Sequence, residues 1–169
     1  KDQAIVLDME YSKVKPEPVS ERTPQFRNIR FSNITAYTKK AMYINGLDEM
    51  PVSEISLNDC VFETETGIVM RNAKDIELHN VRVNTKTGSA VTAEKTEQLD
   101  IDGLTSAKPL AAVPLIKLVN VQNVLLRNCW PFAGTNIFAS INGADTKNVK
   151  LVNNELGEAT VVYGEEVKR

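Results

Sequence analysis

The chain has 169 residues, of which 42% are hydrophobic and 25% are charged, and its formal net charge is −2. This composition is that of an ordinary soluble protein, and the length suits a single domain spanning residues 1–169. No apolar run approaches the roughly 18 residues of a membrane span. We therefore expect neither a membrane span nor a nucleic-acid partner.

A six-residue segment that ends in Asn, Asp or Gly recurs along the chain and predicts the first strand of a repeating unit. Its copies span residues 28–33, 54–59, 75–80, 98–103, 123–128 and 148–153. Their last residues are 21 to 26 positions apart, which is a period typical of solenoids. Each repeat is therefore predicted to form one coil of a stack.

A second strand follows in every repeat, after eight or more residues. Its copies span residues 41–44, 68–71, 90–93, 115–118, 137–140 and 160–163. Apolar residues alternate in them and no helical period is sustained, which excludes the leucine-rich, ankyrin and tetratricopeptide solenoids. The sequence predicts an all-β fold, a single-stranded parallel β-helix of about six coils.

Two columns of polar residues are predicted at the bends between strands. In a parallel stack, equivalent residues of successive coils lie roughly 4.8 Å apart, so that side-chain amides can bond to one another and tolerate a left-handed backbone. We expect an asparagine ladder, in which Gly103 replaces one member, and a second column at the next turn. The ladder comprises Asn33, Asp59, Asn80, Asn128 and Asn153, and the second column comprises Asn45, Asn72, Asn120 and Asn142.

The residues that follow the ladder point into the predicted core. Cys60 and Cys129 occupy this column three coils apart, or roughly 14 Å, which exceeds the reach of a disulfide. We predict two buried free thiols. His79, the only histidine, takes an outward position and offers these thiols no catalytic base. Four aromatic residues are predicted to face inward: Phe31, Tyr43, Phe62 and Phe138.

The N-terminal end of the predicted stack is incomplete. Residues 4–8 have the pattern of a second strand, but no first strand precedes them. We expect the chain to be the C-terminal portion of a longer β-helix enzyme, with a protruding loop at residues 12–22 and self-association through the exposed N-terminal coil.

Three segments carry a resemblance to a known family: residues 4–11, residues 23–29 after a charged loop with two prolines, and residues 46–51. Together they resemble the C-terminal part of glycoside hydrolase family 28, the polygalacturonases and related pectin hydrolases, particularly the Bacteroidetes forms. The resemblance covers residues 4–105 well and the remainder by repeat pattern alone. It implies a right-handed parallel β-helix that cleaves α-1,4 bonds of polygalacturonate by inverting hydrolysis.

The catalytic motifs of that family are absent from the chain. The family uses Asn-Thr-Asp, Asp-Asp, Gly-His-Gly and Arg-Ile-Lys motifs, and the segment 84–86 carries Lys where the first has its acid. Asp100 and Asp102 share an outward strand face but have no evident basic or cationic neighbour, which favours a solvated surface. We predict no catalytic residue, no metal site and no cofactor in this chain.

The basic N-terminal end is the candidate substrate-binding region. Residues 1–40 carry a net charge of +3 and the rest carry −5. A polyanionic pectin backbone calls for cations and aromatic platforms. The candidate substrate-binding residues are Tyr11, Lys13, Lys15 and Arg22. The resemblance also implies a secreted, periplasmic or cell-surface enzyme.

Two other functions remain open at this stage. One is a free-standing carbohydrate-binding, adhesive or structural β-helix module, which should carry repeated outward aromatics. The other is a different β-helix enzyme, such as a pectate lyase or an esterase; a lyase needs an acidic calcium site beside an arginine base. The outward positions show neither feature as a repeated pattern.

Overall fold

The computed structural model describes residues 2–10, 16–108 and 110–167. The described residues form twelve strands joined by turns and contain no helix, so none that could cross a membrane. The strands are β1 Gln3–Asp8, β2 Arg27–Ser32, β3 Thr35–Asn45, β4 Val52–Thr85, β5 Val91–Asp102, β6 Thr105–Ser106, β7 Ile116–Val119, β8 Gln122–Arg127, β9 Trp130–Pro131, β10 Ile137–Asn142, β11 Lys147–Val152 and β12 Thr160–Tyr163. Residues 16–22 of the predicted loop are exposed and lie outside any strand.

The strands pair in parallel rows along one solenoid axis. One row runs β1-β3-β4-β5-β7-β10-β12, and β2, β4, β5, β8 and β11 form another. The long β4 contributes two copies of the repeat, so six copies of the first strand enclose about five turns. The all-β parallel β-helix is confirmed.

The register confirms the predicted equivalence of the repeats. Ser32 pairs with Asn58, and Arg127 pairs with both Asp102 and Val152. Each of these residues immediately precedes a predicted ladder position. The repeat period read from the sequence is therefore the true coil length.

A third strand, which follows the first strand in every described repeat except the last, was not predicted. Its copies are the first part of β3, two parts of β4, and the two-residue strands β6 and β9. Their register is given by the pairs Thr35–Val61, Arg82–Thr105 and Thr105–Trp130. The later copies are only two residues long, too short for alternation to reveal them.

The core fills the interior of the stack. Phe62 and Phe138 are fully buried, as predicted. Towards the N-terminal end, Ile29 and Phe31 are only half-buried, whereas Leu57, one coil further on, is inaccessible to solvent. Ile29 and Phe31 therefore lack a complete covering layer within the described chain.

Tyr43 corrects one of the predicted core positions. Its neighbours Met42 and Ile44 are buried, so strand alternation places Tyr43 on the outer face. It is partly exposed there, with Lys40 Nζ 5.4 Å from the centre of its ring. The inward assignment was wrong because all four residues of the strand 41–44 are apolar or aromatic, so the pattern alone does not show which alternate set faces inward.

The asparagine ladder has the predicted backbone and part of the predicted side-chain bonding. Its five polar members have φ between 51° and 55°, and Gly103 has φ of 72°. Asn80 Nδ2 donates to Asp59 Oδ1 at 2.6 Å, and Asn153 Nδ2 donates to Asn128 Oδ1 at 2.8 Å. Where glycine interrupts the ladder, Asn128 Nδ2 donates instead to Asp102 Oδ1 at 2.8 Å.

A second left-handed column stands five residues before the ladder. Its φ values lie between 52° and 55°, and Asn148 Nδ2 donates to Asn123 Oδ1 at 2.7 Å. Each first strand is thus bounded by two left-handed residues, which turn the chain at both ends. The column comprises Asn28, Glu54, Asp75, Gln98, Asn123 and Asn148.

The predicted column at the next turn was wrong by one position in two of its members. Asn45 is in register with Arg71 rather than Asn72, and Asn142 is in register with Val119 rather than Asn120. The left-handed residues one position further on are Asn72, Lys95, Asn120 and Gly143.

Both cysteines are buried and free, which confirms the predicted thiols. Burial raises the pKa of Cys129 to about 11, so its thiol stays protonated at neutral pH. Because thiolates are the reactive species, we expect neither cysteine to react with a disulfide reagent at pH 8 in the folded protein. Two thiols per chain should appear once denaturant unfolds it. Rapid labelling of either cysteine without denaturant would contradict the burial.

Candidate functional site

A cavity of about 480 Å³, here called the N-terminal cleft, lies between the first turns of the chain and two later coils. Its walls come from residues 9–10 and 16–24, from the turn at 46–49, and from the coil ends at 71–72 and 94–95. Parts of three separate segments, residues 4–11, 23–29 and 46–51, therefore line this cleft together.

The turn at residues 46–49 is held in place by the next coil. Asn72 Nδ2 donates to the carbonyl oxygen of Gly46 at 3.1 Å. A Cβ atom at Gly46 would overlap the backbone carbonyl of Asn72, so glycine is needed for this close approach. Asn45, the residue before this turn, donates from Nδ2 to Glu10 Oε2 at 3.2 Å and to Asp8 Oδ1 at 3.0 Å.

Two of the three described cations in the cleft are already paired. Arg71 Nη2 contacts both carboxylate oxygens of Glu94 at 2.9 and 3.0 Å, and this pairing raises the pKa of Arg71. Lys95 Nζ lies 3.0 Å from Asp48 Oδ1. Both pairs are partly exposed, so each contributes little to stability.

Arg22 is the predicted site residue that the structure places in the cleft. It is exposed, and its guanidinium makes no ion pair within the described chain. Tyr11, Lys13 and Lys15 lie outside the described residues. The described lining carries more carboxylates than cations; the carboxylates belong to Glu10, Glu17, Asp48, Glu49 and Glu94.

The outward pair Asp100 and Asp102 does have cationic neighbours, contrary to the sequence analysis. Arg127 Nε and Nη2 donate to the two oxygens of Asp100 at 3.2 and 3.0 Å, and Arg127 Nη1 lies 3.2 Å from Asp102 Oδ2. His79 Nδ1 lies 3.3 Å from the same oxygen. The hydrogen bond from Asn128, with Arg127 and His79 nearby, holds the pKa of Asp102 below its ordinary value.

This surface cluster could have been found from the repeat itself. His79, Asp102 and Arg127 each stand one position before the ladder, so the coil period stacks them in one outward column. An ion-paired, ionised Asp102 is not a proton donor at neutral pH, and it does not line the N-terminal cleft. The arrangement is that of a paired strand face, and it brings no acid and base together around an enclosed space.

No group of three or more His, Cys, Asp or Glu side chains in the described residues is placed to hold a metal ion. The carboxylates of the N-terminal cleft are thus not gathered as the oxygen ligands of a calcium site would be.

Comparison of the chain with protein-family models, with curated proteins and with solved structures found no match.

Proposed function

We propose that the chain is the C-terminal β-helix part of a polygalacturonase-like glycoside hydrolase, which cleaves pectic polygalacturonate by inverting hydrolysis. In such a reaction one carboxylic acid protonates the leaving oxygen, and a second carboxylate activates water. This chain supplies a wall of the substrate cleft and no catalytic carboxylate. An enzyme for so large a polymer would act in a secreted, periplasmic or cell-surface location.

The observation that carries the proposal is the convergence of the resembling segments. They are separated in sequence by up to about forty residues, and all three contribute to the N-terminal cleft. A parallel β-helix is also the fold that the resemblance implies. Arg22 gives this cleft an exposed cation that is free to meet a uronate carboxylate.

The N-terminal edge of the stack supports attachment to a further coil. β1 pairs only with β3 and β2 pairs only with β4 among the described strands. Open parallel edges of this kind pair readily with another strand. Stacking on further coils or on a second copy of the chain would also cover Ile29 and Phe31.

A non-catalytic carbohydrate-binding or structural β-helix module is the second candidate. The paired state of Asp100 and Asp102 favours it, since both carboxylates of this outward strand face are engaged by Arg127. Such a module would bind a glycan and would need no acid and base.

Polygalacturonate binding tests the proposal. In titration calorimetry at low salt, we expect polygalacturonate to bind and Arg22→Ala to weaken binding about three- to tenfold, because one charge-assisted contact is lost. Lys117→Ala, which removes an exposed lysine from a strand outside the cleft, is the matched control and should bind like the parent. A reducing-end assay on the same samples should detect no cleavage.

Three results would contradict this function. They are failure to bind at low salt, equal affinities of the Arg22→Ala variant and the parent, and the release of new reducing ends by this chain alone. The last result would place catalytic residues inside the chain.

A further inference from the structure

A second concavity of about 390 Å³, here called the Tyr37 groove, shares no lining residue with the N-terminal cleft. It follows the outer surface of the stack across several coils. The residues that carry the argument below are Tyr37, Lys39, Glu63, Glu65, Lys86 and Lys108.

The coil register brings these side chains to one face. Tyr37 pairs with Glu63, and the adjacent pair, Ala36 and Phe62, packs in or against the core. Alternation therefore turns Tyr37 outward, where it is 77% exposed. Asn84 Nδ2 donates to Glu63 Oε1 at 2.6 Å and extends the same column by one coil.

Tyr37 is the most exposed of the large apolar side chains in the described chain. Its ring forms one end of the groove, and Lys108, three coils beyond Tyr37, reaches back across two coils to Glu63 Oε2 at 2.9 Å. Three coil steps correspond to roughly 14 Å along the axis. The groove is thus long and shallow, with an aromatic platform at one end.

Donors and acceptors line the groove with nearly balanced charge. Lys108 is paired with Glu63 and Lys39 with Asp2, the latter at 2.8 Å. Lys86 and Glu65 are exposed and make no ion pair within the described residues. Hydrogen bonds from Lys108 and Asn84 hold the pKa of Glu63 below its ordinary value, so this carboxylate accepts hydrogen bonds at neutral pH.

We propose that the Tyr37 groove binds a short oligosaccharide, about three sugar residues long. A pyranose ring has an apolar C–H face that packs on an exposed aromatic ring, and its hydroxyls need both donors and acceptors at its edge. The groove supplies these features together, and its shape fits a linear chain. This site lies beyond the proposed function, because it requires neither a pectic ligand nor the N-terminal cleft.

Two trisaccharides test the site: uncharged cellotriose and acidic trigalacturonate. Binding is followed by chemical-shift changes of the isotopically labelled protein, with dissociation constants from titration. We expect at least one trisaccharide to shift the amides of residues 37–39 and 84–86. Tyr37→Ala should weaken that binding about tenfold or more, since the stacking platform is lost. Tyr37→Phe keeps the ring and should stay within about twofold of the parent.

The lysine contribution has its own matched pair of variants. Lys86→Ala should weaken binding several-fold if Lys86 donates to the ligand, and Lys150→Ala, an exposed lysine outside the groove, should not change it. Circular dichroism confirms that each variant is folded. Because Tyr37 and Lys86 are exposed, their removal leaves the core intact.

The outcomes separate this site from the proposed function. Loss of binding in Tyr37→Ala but not in Arg22→Ala supports the groove, whichever trisaccharide binds. The proposal is overturned if neither trisaccharide binds at millimolar concentration, or if Tyr37→Ala binds as tightly as the parent. Binding of trigalacturonate that responds only to Arg22→Ala would support the cleft and overturn the groove.

Discussion

Replacing Phe62 by alanine is expected to lower the free energy of unfolding by about 3–5 kcal/mol, the usual cost of truncating a buried phenylalanine. Phe62 is inaccessible to solvent, and its strand pairs with β3 through Ala36 of the preceding coil. The cavity left behind cannot close, because the coils above and below are fixed by their own strand pairing. Urea unfolding, followed by the fluorescence of the single tryptophan, Trp130, measures the change.

Phe31→Ala is the control for this substitution. Phe31 belongs to the N-terminal coil and is half-buried, so solvent already reaches part of the ring. Phe31→Ala should lower the free energy of unfolding clearly less than Phe62→Ala does, because less apolar area returns to water. Equal losses for the two variants would mean that the first coil is covered in solution, as a dimer stacked at this edge would require.

Replacing Gly67 by alanine is the second substitution with a large expected effect. A Cβ atom at this position would overlap the backbone carbonyl oxygens of Ser89 and Ala90, which belong to the next coil. Backbone cannot move aside as the end of a flexible side chain can, so two coils would have to separate locally. We expect the free energy of unfolding to fall by about 3 kcal/mol or more, which is at or beyond the upper end of the usual cost of overpacking.

Gly88→Ala separates steric overlap from backbone strain. Gly88 has φ of 74°, but a Cβ atom there would have no neighbour within 4 Å. Its substitution should cost only the left-handed strain, about 1–2 kcal/mol. Urea midpoints of the two variants provide the comparison, and a Gly67→Ala protein as stable as Gly88→Ala would refute the close approach between the coils.

The repeat was readable from the sequence because the solenoid is nearly one-dimensional. Each coil contacts only its neighbours, so a period of 21 to 26 residues fixes which residues stack. Asn33 and Asn153 could be placed in one column without knowing anything about loops. The buried state of Cys60 and Cys129 followed from the adjacent column, one residue after the ladder.

The sequence predictions were wrong at positions whose register or backbone conformation the repeat period does not determine. Asn45 and Asn72 were aligned by residue type, but the hydrogen-bond register sets Asn45 beside Arg71. Glu54 and Gln98 adopt left-handed φ, although their residue types do not favour that backbone conformation. The backbone conformation at such positions is set by the bend. Any residue there adopts it once the strands on both sides are paired.

The sequence by itself determined the β-helix, the coil boundaries and the buried positions of Phe62, Phe138 and the two cysteines. The alternation of apolar residues within a strand and the repeat period are properties of the residue order, so both can be read from the sequence. Only the tertiary structure showed that Arg22 shares a cleft with the turn at residues 46–49 and that Tyr37 stands beside lysines from later coils. These contacts depend on the directions of long side chains across coils, which the repeat period does not specify.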